Sequence, residues 1–134
     1  MFPVRVYWED TDAGGIVYYA NYLKFMERAR SEWLRALGIE QAALARDERR
    51  QFAVVEAHIR YHRPARFNDL LQVSVQVTEQ GGASVTMTQE IRRGTRDGEL
   101  LVSATIRAAC LDSEGLRPRP LPAAMLAQIG NTPR

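Results

Sequence analysis

The spacing of apolar residues changes near residue 50, and the change divides the chain into a helical part and a sheet-forming part. Tyr22, Met26, Ala29, Trp33 and Leu37 recur at steps of four and three, which lines one face of a helix. Lys24, Arg28, Ser31 and Arg35 fall elsewhere on the wheel and can meet water. Gly38 follows the last periodic residue, where a left-handed backbone is least costly for glycine, and Ile39 behind it can close the hydrophobic contact of such a cap. The pattern predicts a helix of about four to five turns. It starts directly after an acidic, glycine-containing stretch, Trp8 to Gly15. Before that stretch Val4, Val6 and Trp8 alternate with Arg5 and Tyr7, a short first strand. Residues 41–46 are alanine-rich and predict a second, short helix, and residues 47–50 a charged connector.

From Gln51 the period is two. Ala53, Val55, Ala57, Ile59 and Tyr61 share one face; Val54, Glu56, His58, Arg60 and His62 share the other. Pro64 ends or bends this strand, and Phe67, Asn68 and Asp69 form a turn. Leu71, Val73, Val75 and Val77 alternate with polar residues, which predicts one half-buried strand over 71–78. Gly81 and Gly82 make a hairpin turn into a strand carrying Val85, Met87, Gln89 and Ile91. Residues 94–98 turn again, into a long last strand from Leu100 to Cys110. After the turn at residues 112–115, Pro118, Pro120 and Pro122 forbid regular pairing, and residues 123–129 predict a short terminal helix. Tight turns make neighbouring strands antiparallel. Each later strand has one apolar face, and one long helix must cover them all. The expected fold is α+β, an antiparallel sheet wrapped around one long central helix, in a single domain over residues 1–134. No second helix covers the other sheet face, and an outer strand edge is a pairing liability. A homodimer or homotetramer with its site at the subunit interface follows.

Composition narrows the classes. With 46% hydrophobic and 25% charged residues, the chain is not of the disordered kind. No apolar run is long enough to span a bilayer, and the first residues lack the apolar segment of a signal peptide, so a cytoplasmic protein is expected. The single cysteine, Cys110, excludes an internal disulfide and a cysteine metal cluster, and its apolar setting reads as a buried thiol. The net charge is +2, and Lys24 is the one lysine among 18 basic residues. Arginine content alone is no sign of nucleic-acid binding, and none is expected. Guanidinium groups do suit phosphates by bidentate geometry, which permits a phosphate-bearing ligand.

The candidate chemistry lies where the acidic loop meets the long helix. The first N–H groups of a helix have no internal partner and carry partial positive charge. A carboxylate beside them makes a nucleophile or base facing an oxyanion site. On spacing alone, Asp12 reads as a turn or cap residue before a catalytic one, and Gly14 and Gly15 fit unusual φ values and the close approach of a ligand alike. Glu27 and Arg30 are spaced for a surface ion pair. His58 and His62 are about 13 Å apart on a strand, too far to chelate one ion by themselves. No metal or other cofactor is expected.

Residues 10–18, Asp-Thr-Asp-Ala-Gly-Gly-Ile-Val-Tyr, followed by Asn21-Tyr22-Leu23-Lys24-Phe25-Met26-Glu27-Arg28-Ala29-Arg30, resemble the hotdog-fold thioesterases. The similarity is greatest to the Tol–Pal-associated acyl-CoA thioesterase branch (YbgC type) of the 4-hydroxybenzoyl-CoA thioesterase group. It continues through residues 61–69 and 117–122. The resemblance implies a hotdog fold, dimers that share a continuous sheet, often tetramers, and metal-free hydrolysis of acyl-CoA thioesters. The family's catalytic carboxylate matches Asp12, and the backbone N–H that polarises the thioester carbonyl matches the helix start near Tyr19. Many relatives carry histidine where Tyr19 stands and tyrosine where Trp8 stands; the 4-hydroxybenzoyl-CoA enzymes carry tyrosine at the position of Tyr19. The expected substrate contacts are Gly15, Trp8, Arg60, Arg63 and Arg66, with Arg92 and Arg93 as further phosphate candidates. The alternatives are a non-catalytic acyl-thioester-binding or Tol–Pal-associated partner protein, and a hotdog hydratase or dehydratase, for which no histidine stands with Asp12. The resemblance leaves room for peripheral association with envelope or acyl-carrier machinery.

Overall fold

The computed structural model describes residues 1–126. The long helix α1 spans Asn21–Ala36 and buries Tyr22, Phe25, Met26, Ala29 and Leu34, with Trp33 and Leu37 half-buried. Its end is built as the sequence predicts. Gly38 has φ +84°, Gly38 N–H donates to Arg35 O (3.0 Å), and Ile39 N–H donates to Leu34 O (2.9 Å). Those two bonds satisfy orphan carbonyls of the last turn, and the buried Ile39 and Leu34 supply the accompanying apolar pair. Helix α2, Gln41–Glu48, is longer than its alanine-rich stretch, because the Glu40 side chain accepts from Ala43 N–H and starts it, and left-handed Arg49 stops it.

Six strands form one antiparallel sheet: β1 (Phe2–Arg5), β2 (Arg50–Tyr61), β3 (Leu70–Val73), β4 (Gln76–Gln80), β5 (Ser84–Arg93) and β6 (Leu100–Asp112). The order is β1-β3-β5-β6-β2, and β4 pairs with the other half of β5. The strand expected over 71–78 is therefore two strands, broken at Ser74 and Val75. The cause is a buried polar knot. Gln89 stands on the helix-facing side of β5 with no exposure. Its Nε2 donates to Ser74 O (3.2 Å) and to Met26 O (3.1 Å), and its Oε1 accepts from Arg30. A buried amide must satisfy its donors, and here it takes a carbonyl that a continuous strand would direct into the ladder. Arg30 thus turns inward, and Glu27 accepts from Ser31 Oγ; the surface pair expected between Glu27 and Arg30 is not formed.

Two other expectations are corrected. Trp8 is not in the first strand: Trp8–Asp10 is a 3-10 turn, held because Tyr7 N–H donates to Asp10 Oδ2 (2.8 Å). In β2 the alternation does not keep one phase. Val54 pairs with Ala108 and Glu56 with Arg107, so Val55 is bulged out. Phe52 and Val54 lie opposite the buried Cys110 and Ala108 before the bulge, and Ala57, Ile59 and Tyr61 lie opposite Ile106, Ala104 and Val102 after it. Beyond β6, residues 123–125 form a 3-10 turn that ends at Leu126, and residues 127–129 of the expected terminal helix lie outside the described residues.

The sheet's apolar face, carrying Leu71, Val73, Val85, Met87, Ile91, Val102, Ile106 and Ala108, closes on α1. Its other face presents Thr86, Thr88, Ser103, Thr105 and Arg107. Cys110 is buried, and burial pushes its thiol above the ordinary range, which keeps it protonated and inert. No described helix is long and apolar enough to cross a membrane.

Candidate active site

Residues 10–18 form a narrow hairpin. Tyr18 N–H donates to Asp10 O (2.9 Å), Thr11 pairs with Val17, and Asp12 N–H donates to Ile16 O (2.9 Å). Asp12 stands at the tip. Gly15 N–H closes the turn onto Asp12 O (3.1 Å), and Gly15 has φ +78°, a conformation that side-chain-bearing residues rarely adopt. Oδ1 of Asp12 accepts from Gly14 N–H (2.8 Å), an Asx turn. A Cβ at Gly14 would come within 3.3 Å of that same oxygen. The other oxygen, Oδ2, has no partner among the described residues, and the side chain is exposed. Asp12 therefore performs the turn role with one oxygen and leaves the other free.

The second arm of the hairpin leads straight into α1. Tyr18 O accepts from Asn21 N–H (2.8 Å), and Ala20, in the cap position, has helical backbone angles and no side-chain cap. Among the described residues no acceptor takes the N–H of Tyr19. The uncapped helix start thus keeps a free donor. In this register Asp12 and Tyr19 are three rungs apart along the hairpin, on the order of 10 Å between Cα atoms. A carboxylate, a thioester carbonyl group and one hydrogen bond together span such a gap.

Residues 61–69 clamp the hairpin from outside. Val17 N–H donates to Ala65 O (2.8 Å), Ala65 N–H donates to the buried Tyr22 hydroxyl (2.9 Å), and Phe67 N–H donates to Gly15 O (3.3 Å). Ile16 bridges Arg66, and Trp8 stacks on Phe67 with centroids 3.6 Å apart. The Tyr61 hydroxyl donates to Tyr19 O (3.4 Å), and the two rings meet edge-on at 6.2 Å.

Comparison with known proteins meets this geometry. Residues 6–129 match the thioesterase-like superfamily. The chain is 44% identical over 121 residues to the acyl-CoA thioesterase YbgC of Haemophilus influenzae, covering 90% of this chain and 87% of that one. It is 42% identical over 128 residues to the acyl-CoA thioester hydrolase YbgC of Escherichia coli, covering 96% and 93%. Among solved structures it superposes on a probable thioesterase from Bartonella henselae with a TM-score of 0.83 at 39% identity, covering 90% and 97%. It superposes equally well, TM-score 0.83 at 27% identity, on a gentisyl-coenzyme A thioesterase, covering 92% and 97%. The chain belongs to the thioesterase-like superfamily. Its sheet closed around one helix is the hotdog fold of that family.

The structure sorts the remaining site candidates of this thioesterase-like chain. Arg66 is brought to the hairpin by its bridge to Ile16, and its guanidinium has no partner among the described residues. Arg63 lies 3.6 Å from Glu99 in an ion pair. Arg60 points with His58 and Ser103 to the outer sheet face. Arg93 is committed to structure: it pairs with Asp69 and Glu99 and donates to Pro64 O (3.0 Å), which ties the clamp to β5. Arg92 is likewise held by Glu90 and Gly98 O. Trp8 is 68% exposed beside the hairpin. Gly15 has open space where a Cβ would stand, so within one chain only its φ requires glycine. His62 bonds Ser103 Oγ (2.8 Å), and among the described residues no three His, Cys, Asp or Glu side chains cluster as metal ligands.

Two features escaped sequence reading. Asn21 Nδ2 donates to Asp10 O (2.9 Å), joining helix to hairpin, and Tyr61 holds the Tyr19 carbonyl. The only sequence signal was an amide side chain at the helix start. An apolar cavity of about 170 Å³ lies between the second half of α1 and β2, β5 and β6, lined by Leu34, Phe52, Val54, Val85 and Met87, with Arg30 on its polar side. Arg30 is ten residues along α1 from Ala20, about 15 Å at the helical rise, so in one chain the cavity and the helix start stand apart.

Proposed function

We propose that this protein hydrolyses acyl-CoA thioesters to the free acid and CoA, with Asp12 as the reacting carboxylate and Tyr19 N–H as the oxyanion donor. The observation that carries the reading is the pairing of a free carboxylate oxygen at a rigid hairpin tip with an unpartnered N–H at an uncapped helix start, in a chain 42–44% identical to acyl-CoA thioester hydrolases. Asp12 Oδ2 either attacks the thioester carbon, forming a mixed anhydride that water then opens, or takes a proton from the water that attacks. In both routes the carbonyl oxygen gains negative charge, which the Tyr19 N–H and the helix start stabilise. The C–S bond breaks, and CoA leaves as a thiolate that takes up a proton. Arg66, free and beside the hairpin, is the candidate for a CoA phosphate, and Trp8 and Gly15 border the path. Arg60 and Arg63 serve this reading less well, one for its place on the outer face and the other for its partner Glu99.

The site is completed by a second copy of the chain. Alone, Asp12 faces water, which screens charge and weakens every electrostatic contribution. The exposed rings of Tyr7, Trp8, Tyr18 and Tyr19 lie along the hairpin and its approaches, Tyr61 packs on Tyr19, and among the described residues the outer edge of β2, 12 residues long, is unpaired. A homodimer or a tetramer of such dimers covers both. The lone, unpaired Cys110 suits the reducing cytoplasm.

The experiment is release of free thiol from a panel of short-chain, long-chain and aromatic acyl-CoA substrates, followed with a thiol reagent and repeated after EDTA treatment. Turnover that survives EDTA is expected. No thiol release from any substrate overturns the assignment, and loss on chelation with rescue by zinc overturns the mechanism.

A further inference from the structure

We propose that Asn21 is a positioning residue, whose side-chain amide sets the separation between the Asp12 carboxylate and the Tyr19 N–H; the inference rests on the catalytic reading of those two groups. They belong to different elements. Asp12 is held by the hairpin's own ladder and Asx turn, whereas Tyr19 lies past the ladder, two residues before α1, with its carbonyl accepting from the Tyr61 hydroxyl at 3.4 Å. A ladder fixes residues across from one another, but it does not fix the angle at which a hairpin meets a helix. One side chain spans that joint: Asn21 Nδ2 donates to Asp10 O at 2.9 Å, in a part-buried position. Asp10 O already accepts Tyr18 N–H at 2.9 Å, while Asn21 N–H donates to Tyr18 O at 2.8 Å. Three residues therefore close a junction: Asp10 on the arm that carries Asp12, Tyr18 on the arm that carries Tyr19, and Asn21 as the first residue of the helix.

An asparagine at a helix start usually serves as a cap, and here it does not. A cap accepts from the helix's own first N–H groups. Ala20 holds the cap position without a side-chain bond, and the Asn21 amide donates, to a carbonyl outside the helix. The polarity is the reverse of a cap, and the amide leaves the Tyr19 N–H without an acceptor among the described residues. Aspartate lacks the donor, and alanine lacks the whole group. A shift of about 1 Å between reacting groups is enough to cost on the order of 100-fold in rate.

The test is steady-state kinetics of Asn21→Ala and Asn21→Asp, each made in the wild-type and in the Asp12→Asn backgrounds, with melting curves beside them. Asn21→Asp guards against a folding defect, since a carboxylate in the first helical turn is favoured by the helix dipole. Both variants are expected to lose at least about tenfold in kcat, with KM changed less than about twofold and the melt retained, because alignment rather than binding is lost. In the Asp12→Asn background the Asn21 substitutions are expected to add no further loss. A kcat per folded enzyme equal to wild type overturns the inference. So does the same fold-loss in both backgrounds, since Asn21 then acts without Asp12. Full activity in Asp12→Asn alone removes the catalytic reading, and the inference with it.

Discussion

Asp10 is used inside the chain through its carbonyl and one carboxylate oxygen. Its Oδ2 accepts from Tyr7 N–H, and its carbonyl takes Tyr18 N–H and the Asn21 amide. Asp12, two residues on, uses one oxygen in the turn and leaves the other free. On the proposed reading, Asp10 holds the hairpin to the helix and Asp12 carries the chemistry. Asparagine at position 10 keeps an oxygen for Tyr7 N–H and leaves the carbonyl unchanged. Asp10→Asn is expected to keep kcat within about threefold of wild type and to cost about 1 kcal/mol of stability from the weakened bond. Kinetics beside a melting curve check this, and a loss as large as that of Asp12→Asn would contradict it. At this scale the motif singled out Asp12 and Tyr19 in the sequence as candidates. Asn21 and Tyr61 were not legible, because their roles depend on which carbonyl the folded chain brings within reach. Arg93 shows the same limit: its charge reads as a phosphate contact, and only the folded chain shows Asp69, Glu99 and Pro64 O around it.

Helix α1 is the most legible element, since a 3.6-residue period, a terminal glycine and a following isoleucine all state one structure. The sheet is less so. Val54 and Val55 are both apolar, so alternation does not say which one the β2 bulge expels. The break between β3 and β4 follows from Gln89, which reads as one more position in its own strand and acts on a different one. The turn between β5 and β6 gives a test at this scale. A Cβ at Gly98 would overlap the carbonyl oxygen of Arg93, which is backbone and cannot swing aside. A Cβ at Gly82 meets nothing within 4 Å. Gly98→Ala is expected to cost about 1–3 kcal/mol, a fall of several degrees in Tm. Gly82→Ala is expected to stay close to wild type. Calorimetry on the pair decides it, and equal melts would show that the tight turn is not where the hairpin is constrained.

The whole molecule joins a helix-wrapped sheet, a hairpin that presents a carboxylate, and an unpaired strand edge beside exposed aromatic rings. The period-two and period-3.6 patterns were enough to read the wrapped sheet. The proposed assembly is already suggested by the uncovered sheet face and strand edge in the sequence, and the exposure of Asp12 in the folded chain adds a second reason for it. Light scattering at micromolar concentration is expected to give two or four times the chain mass of 15.2 kDa, and a single-chain mass would contradict a site shared between subunits. The central claim is that the Asp12 carboxylate does the chemistry, and one substitution isolates it. Asparagine preserves the size of the side chain and an oxygen for Gly14 N–H, so the Asx turn survives. It removes the charge that attacks carbon or takes a proton, and general-base catalysis alone contributes roughly 100- to 10,000-fold. Acyl-CoA hydrolysis by Asp12→Asn is therefore expected to fall at least about 100-fold in kcat, with KM, oligomeric mass and melting temperature little changed. An Asp12→Asn enzyme that releases thiol at close to the wild-type rate would contradict the account.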